Sequence, residues 1–306
     1  MMKIEKVIKF IIKKNNSLVL RIMQQFPKLF SDRFFLERKF KYIMDRSLNL
    51  DIPKTFNEKI QWLKLYYHNP ILTSLVDKVE VKDYVAKKIG DKYIIPTLGV
   101  WDSFDKIDFD KLANQFVLKT NHDFGGIIIC KEKENFDYQS AKLKLSAHLK
   151  RNFYSMEREW AYKNVKPRIL AEEYLGILGD DDVKDYKFYC FNGEPKILLV
   201  SSGRQNKTEE MKWNFYDVEF NLLRFTKSNK SNDYSVEKPK NFELMLELSK
   251  ALSENFPFVR TDFYNISGEI YFGELTFYPG AGYGKFEPEE WDYKLGSYLS
   301  LPNKLI

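Results

Sequence analysis

Residues 258–280 read FVRTDFYNISGEIYFGELTFYPG, two alternating runs joined by NISG. In the first run Val259, Thr261 and Phe263 alternate with Arg260, Asp262 and Tyr264. In the second, Tyr271, Gly273, Leu275 and Phe277 alternate with Phe272, Glu274 and Thr276. Successive side chains of a strand point to opposite faces, so each strand carries one apolar row and one row holding the charges. A hairpin loop with an odd number of residues pairs even positions with even. Asp262 then stands opposite Phe272 and Arg260 opposite Glu274, with both carboxylates and the guanidinium on one face. Neighbouring carboxylates raise one another's pKa unless a cation lies between them. Two cations qualify. One is Arg260 itself, in a cross-strand ion pair; the other is a divalent ion such as Mg2+, which takes one or two carboxylates plus phosphate oxygens.

The rest of the chain adds groups of the same chemistry. FVLKTNHDFGGII (116–128) is a strand carrying Lys119, then a loop with Gly125 and Gly126, then a strand. Such a loop brings backbone N–H groups close to phosphate oxygens while the lysine supplies a point charge. ILAEEYL (169–175) ends an apolar run with Glu172 and Glu173, and DYKFYC (185–190) brings Asp185 and Lys187.

The 306 residues are 44% hydrophobic and 30% charged, a globular balance with enough length for one large or two ordinary domains. The net charge of +6 suits an anionic partner such as a nucleotide, an acidic glycan or a membrane surface. Two cysteines and three scattered histidines argue against a disulfide framework or a zinc site, and the redox context reads as cytoplasmic. No run approaches the roughly 18 to 20 apolar residues of a membrane span. KIEKVIKFIIKK (3–14) is a basic amphipathic helix pattern, suited to peripheral contact with the inner face of a membrane or to packing on its own domain.

Helical patterns fill the first 90 residues. Thr55 and Glu58 form a capping pattern at the head of TFNEKIQWLKLYY, and one helix is expected over SLVDKVEVKDYVAKKIG, ending at Gly90. Further helices are expected at about 138–154 and 240–254. Beyond residue 115 strand patterns dominate, which predicts an α+β fold with a mostly antiparallel sheet.

The order of lysine, glycine loop, acidic pair, lysine and the closing Arg–Asp–Glu hairpin resembles the ATP-grasp superfamily. Its terminal hairpin has the form R-x-D-F … G-x-I/V-Y-x-x-E-x-N-x-x-P-G. Within the superfamily TFNEKIQWLKLYY, FVLKTNH, DYKFYCFNGEPK and FPFVRTDFY resemble the TupA-like group, found among genes for capsule and other surface polysaccharides. The resemblance covers about residues 55–302. It implies two α+β lobes clasping ATP, with a helical extension over 1–54, a reduced N-terminal region over 55–114, a small lobe over 115–176 and a large lobe over 177–306. Lys78, Lys119 and Lys187 would meet ATP phosphates under the 121–126 loop, and Glu172, Glu173 and Leu175 would meet adenine. Asp262 and Glu274 would hold Mg2+, and Arg260 would steady the oxyanion of an acyl-phosphate reaction.

Two departures stand out. Thr276 replaces the usual asparagine, which weakens one metal ligand, and Asp123 and Phe124 occupy loop positions where smaller residues are common. The implied reaction joins a carboxylate, expected to be a uronic acid in a sugar nucleotide or glycan, to an amine or amino acid. Tyr283 and Lys285 in PGAGYGKF, and Arg204 in SSGRQNK, are candidates for binding the acidic substrate. No nucleic-acid partner is expected. A glycosyltransferase, a hydroxyl kinase and a non-catalytic nucleotide- or glycan-binding protein are the competing readings.

Overall fold

The computed structural model describes residues 16–178, 184–202, 212–228 and 236–306. The expected helix over 3–14, most of the GDDDVKD stretch and Arg204 lie outside the described residues. The chain begins with helices α1 (Asn16–Gln25), α2 (Asp32–Met44), α3 (Phe56–Tyr66), α4 (Ile71–Val76) and α5 (Val81–Ile89). The Thr55 hydroxyl accepts from the Glu58 N–H, and the Glu58 carboxylate reaches back to the Thr55 N–H, closing the expected capping box. Arg46 donates to the same hydroxyl at 3.0 Å. Thr55→Ala is expected to lower stability by about 1 kcal/mol, read as a shifted urea midpoint.

The single helix expected over 74–90 is two. Asp77 breaks it: its Oδ1 accepts the Val79 N–H at 2.8 Å, while its Oδ2 accepts from Asn121 and Arg168 at 2.8 and 2.7 Å. A side chain that supplies a local acceptor competes with the helix backbone.

The small lobe is a four-stranded antiparallel sheet of β1 (Thr97–Trp101), β2 (Phe116–Thr120), β3 (Ile127–Cys130) and β4 (Ile169–Glu173), in the order β1-β4-β2-β3. It begins earlier than residue 115, because β1 pairs with β4. Helix α6 (Tyr138–Leu149) buries Ala141 and Leu145 in one cluster with Phe116, Leu118, Ile169 and Ala171. The opposite face of the same strands carries Lys119 and Glu172. Helix α7 (Phe153–Glu157) then leads towards β4.

The large lobe is a six-stranded antiparallel sheet of β5 (Asp185–Phe191), β6 (Glu194–Ser202), β7 (Lys212–Tyr216), β8 (Leu222–Leu223), β10 (Phe258–Ile266) and β11 (Glu269–Thr276). Its order is β11-β10-β5-β6-β7-β8, and β9 (Thr226–Lys227) pairs separately with β12 (Phe286–Glu287). Helix α8 (Phe242–Ser253) covers one face: Ser249 bonds Thr261 at 3.0 Å, and Met245 and Leu252 are fully buried in the core with Phe263. That choice of face leaves Lys187, Arg260 and Asp262 on the other side. Helix α9 (Glu290–Tyr298) packs on α3.

The closing hairpin differs from its expected register. Its turn has two residues, Ser267 and Gly268, both with positive φ (52° and 95°), so Ile266 pairs with Glu269. A bulge between Asp262 and Phe263 then shifts the count, and Asp262 stands opposite Glu274 with Arg260 opposite Thr276. The bulge also changes parity along β11. Phe272 pairs with Phe263 and is buried in the core rather than sharing a face with Glu274. An extra residue in one strand has this consequence wherever it falls.

Candidate functional site

The bulged hairpin places two carboxylates directly across from each other, and Arg260 fills the space between them. Its Nε and Nη2 donate to the two oxygens of Asp262 at 2.7 and 2.6 Å. Nη2 also donates to Glu274 Oε1 and Thr276 Oγ1, each at 3.0 Å. Lys187, opposite Asp262 on β5, donates to Asp262 Oδ2 at 2.6 Å and lies 3.4 Å from Asp185. Sequence left the bridging cation open; in this structure it is Arg260.

The charges respond to one another. Burial works against ionisation of Glu274, but Arg260, Lys187 and Lys78 hold its carboxyl down at about 2. Burial also opposes the Arg260 charge, yet the Asp262 carboxylate outweighs it and raises the guanidinium pKa. Asp262 itself is pushed above the ordinary carboxyl value by burial, with Arg260 and Lys187 pulling the other way. Glu274 differs from Asp262 in access, for its side chain is 45% exposed against 4%.

Two cavities meet here. One of about 500 Å³ is lined by Lys78, Phe124, Glu159, Arg260, Glu274, Thr276 and Tyr283, among others. The second, of about 210 Å³, is lined by Lys187, Ser201, Trp213, Lys227 and again Arg260, Glu274 and Tyr283. Helix α3 holds the loop that roofs both: Gln61 Nε2 donates to the Ala281 and Gly282 carbonyls at 2.9 and 2.8 Å, and Asn57 to that of Gly284 at 2.8 Å. Lys285 in the same loop is exposed and lines neither cavity.

The 121–126 loop lies beside the larger cavity. Lys78 Nζ donates to the Asp123 carbonyl at 2.6 Å, and burial lowers the Lys78 pKa against the pull of Glu274 and Asp123. The Asp123 side chain, expected to disturb phosphate contact, turns beneath the loop. It accepts from the Thr120 hydroxyl and lies 2.5 Å from His148 Nδ1, with only 1% of the side chain exposed. Phe124 is exposed and meets Phe153 edge-on at 5.4 Å. A methyl group on Gly126 would lie 1.9 Å from Thr120 Oγ1 and 3.0 Å from Asp123 Oδ1. Gly126→Ala is therefore expected to cost about 1–3 kcal/mol of stability and to raise the KM for nucleotide, measured by thermal unfolding and steady-state kinetics.

On the small lobe, Glu172 is buried between Lys119 at 2.5 Å and Lys82 at 2.7 Å. Burial opposes its charge, but the two lysines bring its pKa below the usual value. Glu173 points to the opposite face at the exposed end of β4, and Leu175 opens the short turn that follows. Lys82 was not singled out from sequence; its spacing of four from Lys78 was the available signal. Sequence also missed His148 and Glu157, whose partners come from distant segments, and Glu159, which lines the larger cavity.

The family description "TupA-like ATPgrasp" matches residues 58–300. An L-amino acid ligase from Bacillus licheniformis is similar at 11% identity over 89% of this chain and 57% of that one, with a TM-score of 0.45. The D-alanine–D-alanine ligase of Bacillus anthracis complexed with ATP shares 16% identity over 68% of this chain and 55% of that one, with a TM-score of 0.38. That of Helicobacter pylori shares 18% over 80% and 69%, also at 0.38. The chain thus spans little more than half the length of the first two, and at these values the likenesses carry no argument about activity. No curated protein matches it. The match over residues 58–300 takes in the lysines, the glycine loop, the acidic strand and the bulged Arg–Asp–Glu hairpin together, and the chain belongs to the TupA-like ATP-grasp family.

Proposed function

We propose that the protein activates a carboxylate with ATP and joins it to an amine, releasing ADP and phosphate. One observation carries the reading: Arg260 spans two cross-strand carboxylates, Asp262 and Glu274, at the wall of a cavity that Lys78 also lines. Family membership supports ATP-dependent carboxylate–amine ligation in general.

The donor chemistry fits Mg2+: Glu274 keeps Oε2 without a protein partner among the described residues and Thr276 adds a hydroxyl, while both Asp262 oxygens are held by Arg260 and Lys187 and would have to be shared. No cluster of three or more acidic, histidine or cysteine side chains forms among the described residues, so phosphate oxygens and water would complete the shell. Mg2+ commonly takes one or two carboxylates and completes its shell with phosphate oxygens and water. When bound it would neutralise phosphate charge. Lys78 lines the larger cavity with Glu274 and Lys187 the smaller one, and both would hold phosphate oxygens while the 121–126 loop would offer backbone N–H groups. Lys119 would join them at the phosphates, and Glu172 with the Leu175 backbone is the proposed adenine side; Glu173, on the opposite face of β4, does not share it. Arg260 keeps its Nη1 without a protein partner among the described residues, so it can donate to a developing oxyanion.

The finer reading is that the acid is a uronic acid in a sugar nucleotide or glycan and the amine an amino acid or small amine, in surface-polysaccharide assembly. Residues 3–14 would bring the enzyme to the inner membrane face. Among the described residues no helix is long and apolar enough to cross a membrane. The test is ADP and phosphate release from ATP–Mg2+ across a panel of uronic acids and amines, with mass detection of product. Release that needs both partners supports the ligase. ADP without free phosphate indicates a kinase, and the absence of both turnover and ATP binding sinks the proposal.

A further inference from the structure

Four carboxylates line the larger cavity, and three are accounted for. Glu274 accepts from Arg260 and Thr276, Asp123 is bound by Thr120 and His148, and Glu157 takes Lys39 on both oxygens at 2.6 Å. The fourth, Glu159, is 5% exposed, yet its carboxylate has no hydrogen-bond or ion-pair partner among the described residues. The nearby cations are already committed. Lys64 donates to the Glu157 and Ala281 carbonyls at 3.0 and 2.7 Å, and Lys39 donates to Glu157 and to the Met156 carbonyl at 3.1 Å. Glu159 is not among the side-chain groups that are sealed from solvent without a partner, so its oxygens open to the cavity, where water, an ion or a ligand can supply the donors that the protein does not.

The walls around it suit a cation. Tyr162 and Tyr278 line the same cavity, and aromatic faces attract ammonium groups; the Tyr283 ring already has Lys64 and Lys39 over it, at 4.8 and 5.3 Å. The Tyr283 hydroxyl is buried and lacks a partner among the described residues. Burial pushes the Glu159 carboxyl up to about 8; Lys64 and Lys39 oppose that rise and Glu157 adds to it. The protein's own cations therefore leave this group under-compensated.

We infer that Glu159 receives the ammonium group of the amine acceptor and accepts the proton that this nitrogen must lose before it attacks, which makes the acceptor a primary amine that binds in its positively charged form at the end of the cavity lined by Tyr162 and Tyr278, with Arg260 and Glu274 in the same wall. The inference rests on the ligase reading above and adds to it the residue that selects the nucleophile. Sequence alone could not find it, because the groups that enclose Glu159 come from α2, α3 and the loop after β11.

The test separates a charged acceptor from a neutral one. Hydroxylamine is largely uncharged at neutral pH and captures an acyl phosphate as a hydroxamate without needing an ammonium site. Wild type, Glu159→Gln and Glu159→Asp are given ATP–Mg2+ and a uronic acid, with either hydroxylamine or a panel of amino acids and ethanolamine. For Glu159→Gln, kcat/KM for the best charged amine is expected to fall about 100-fold while hydroxamate formation stays within a few-fold of wild type. Glu159→Asp, which keeps the charge on a shorter arm, is expected to fall less. Thermal unfolding of each variant checks that the loss is not misfolding; the neutral glutamine is expected to leave stability equal or higher.

Equal losses with both nucleophiles, or unchanged use of the charged amine, overturn the assignment of Glu159 while leaving the ligase intact. So does a wild-type enzyme that forms hydroxamate but uses none of the charged amines. Wild type that forms neither hydroxamate nor amide overturns the ligase reading and this inference with it.

Discussion

Glu274→Gln is expected to lower kcat for ATP turnover by about 10²–10³-fold with little change in stability. The carboxylate is the exposed member of the site, 45% open to the cavities, and it is held ionised by Arg260, Lys187 and Lys78. Removing its charge takes away one of the two carboxylates proposed to hold Mg2+ and one of the charges that offset the lysines. The fold loses little, because Arg260 keeps both bonds to Asp262 when Glu274 becomes neutral. Steady-state turnover and a urea melt on the same preparation check this pair of outcomes. Turnover within tenfold of wild type would remove Glu274 from the catalytic centre.

Asp262→Asn is expected to do the opposite in emphasis: it also abolishes turnover, but it costs about 3–5 kcal/mol of stability. Asp262 is 2% exposed and accepts from Arg260 twice and from Lys187 once. Breaking a buried ion pair from one side leaves the other charges uncompensated, and here two cations are stranded together. Lys187 keeps Asp185 only at 3.4 Å. The measurement is the urea midpoint at constant m value; a loss below about 1 kcal/mol would mean the cluster contributes little to the folded state. The contrast between the two carboxylates follows from access and from partners, since Asp262 is buried under three charged hydrogen bonds and Glu274 takes one.

Much of this was legible from residue order. Alternation in 258–276 separated the charged row from the apolar row, and the texture beyond residue 115 announced antiparallel strands that the two sheets contain. The register was not legible. The two-residue turn and the extra residue at Gly273 each shifted the pairing by one, and together they moved Glu274 from Arg260 to Asp262 as cross-strand partner; the glycine inside the strand was the one local signal for the bulge. The glycine loop was found where expected, but the role of Asp123 depended on His148, 25 residues on and on another element. The helix break at Asp77 had the same cause, since the groups that hold its carboxylate are Asn121 and Arg168. Glu159 carries no local signal in MEREWAYKNVK (156–166). Only the packing of α2 and α3 against the loop after β11 encloses it beside the cavity without a donor among the described residues. Local periodicity is written in neighbours along the chain, whereas a site is written in neighbours across it.

If ATP activates the carboxylate, an oxygen atom of the acid must pass to phosphate, and isotope transfer decides whether it does. With the acid identified in the panel carrying ¹⁸O in its carboxylate, one labelled oxygen is expected in the released phosphate for each amide formed. That follows because the carboxylate oxygen must leave with the phosphoryl group when the amine displaces it. Phosphate released without label, alongside acid or product that retains all of its own, would contradict the acyl-phosphate account.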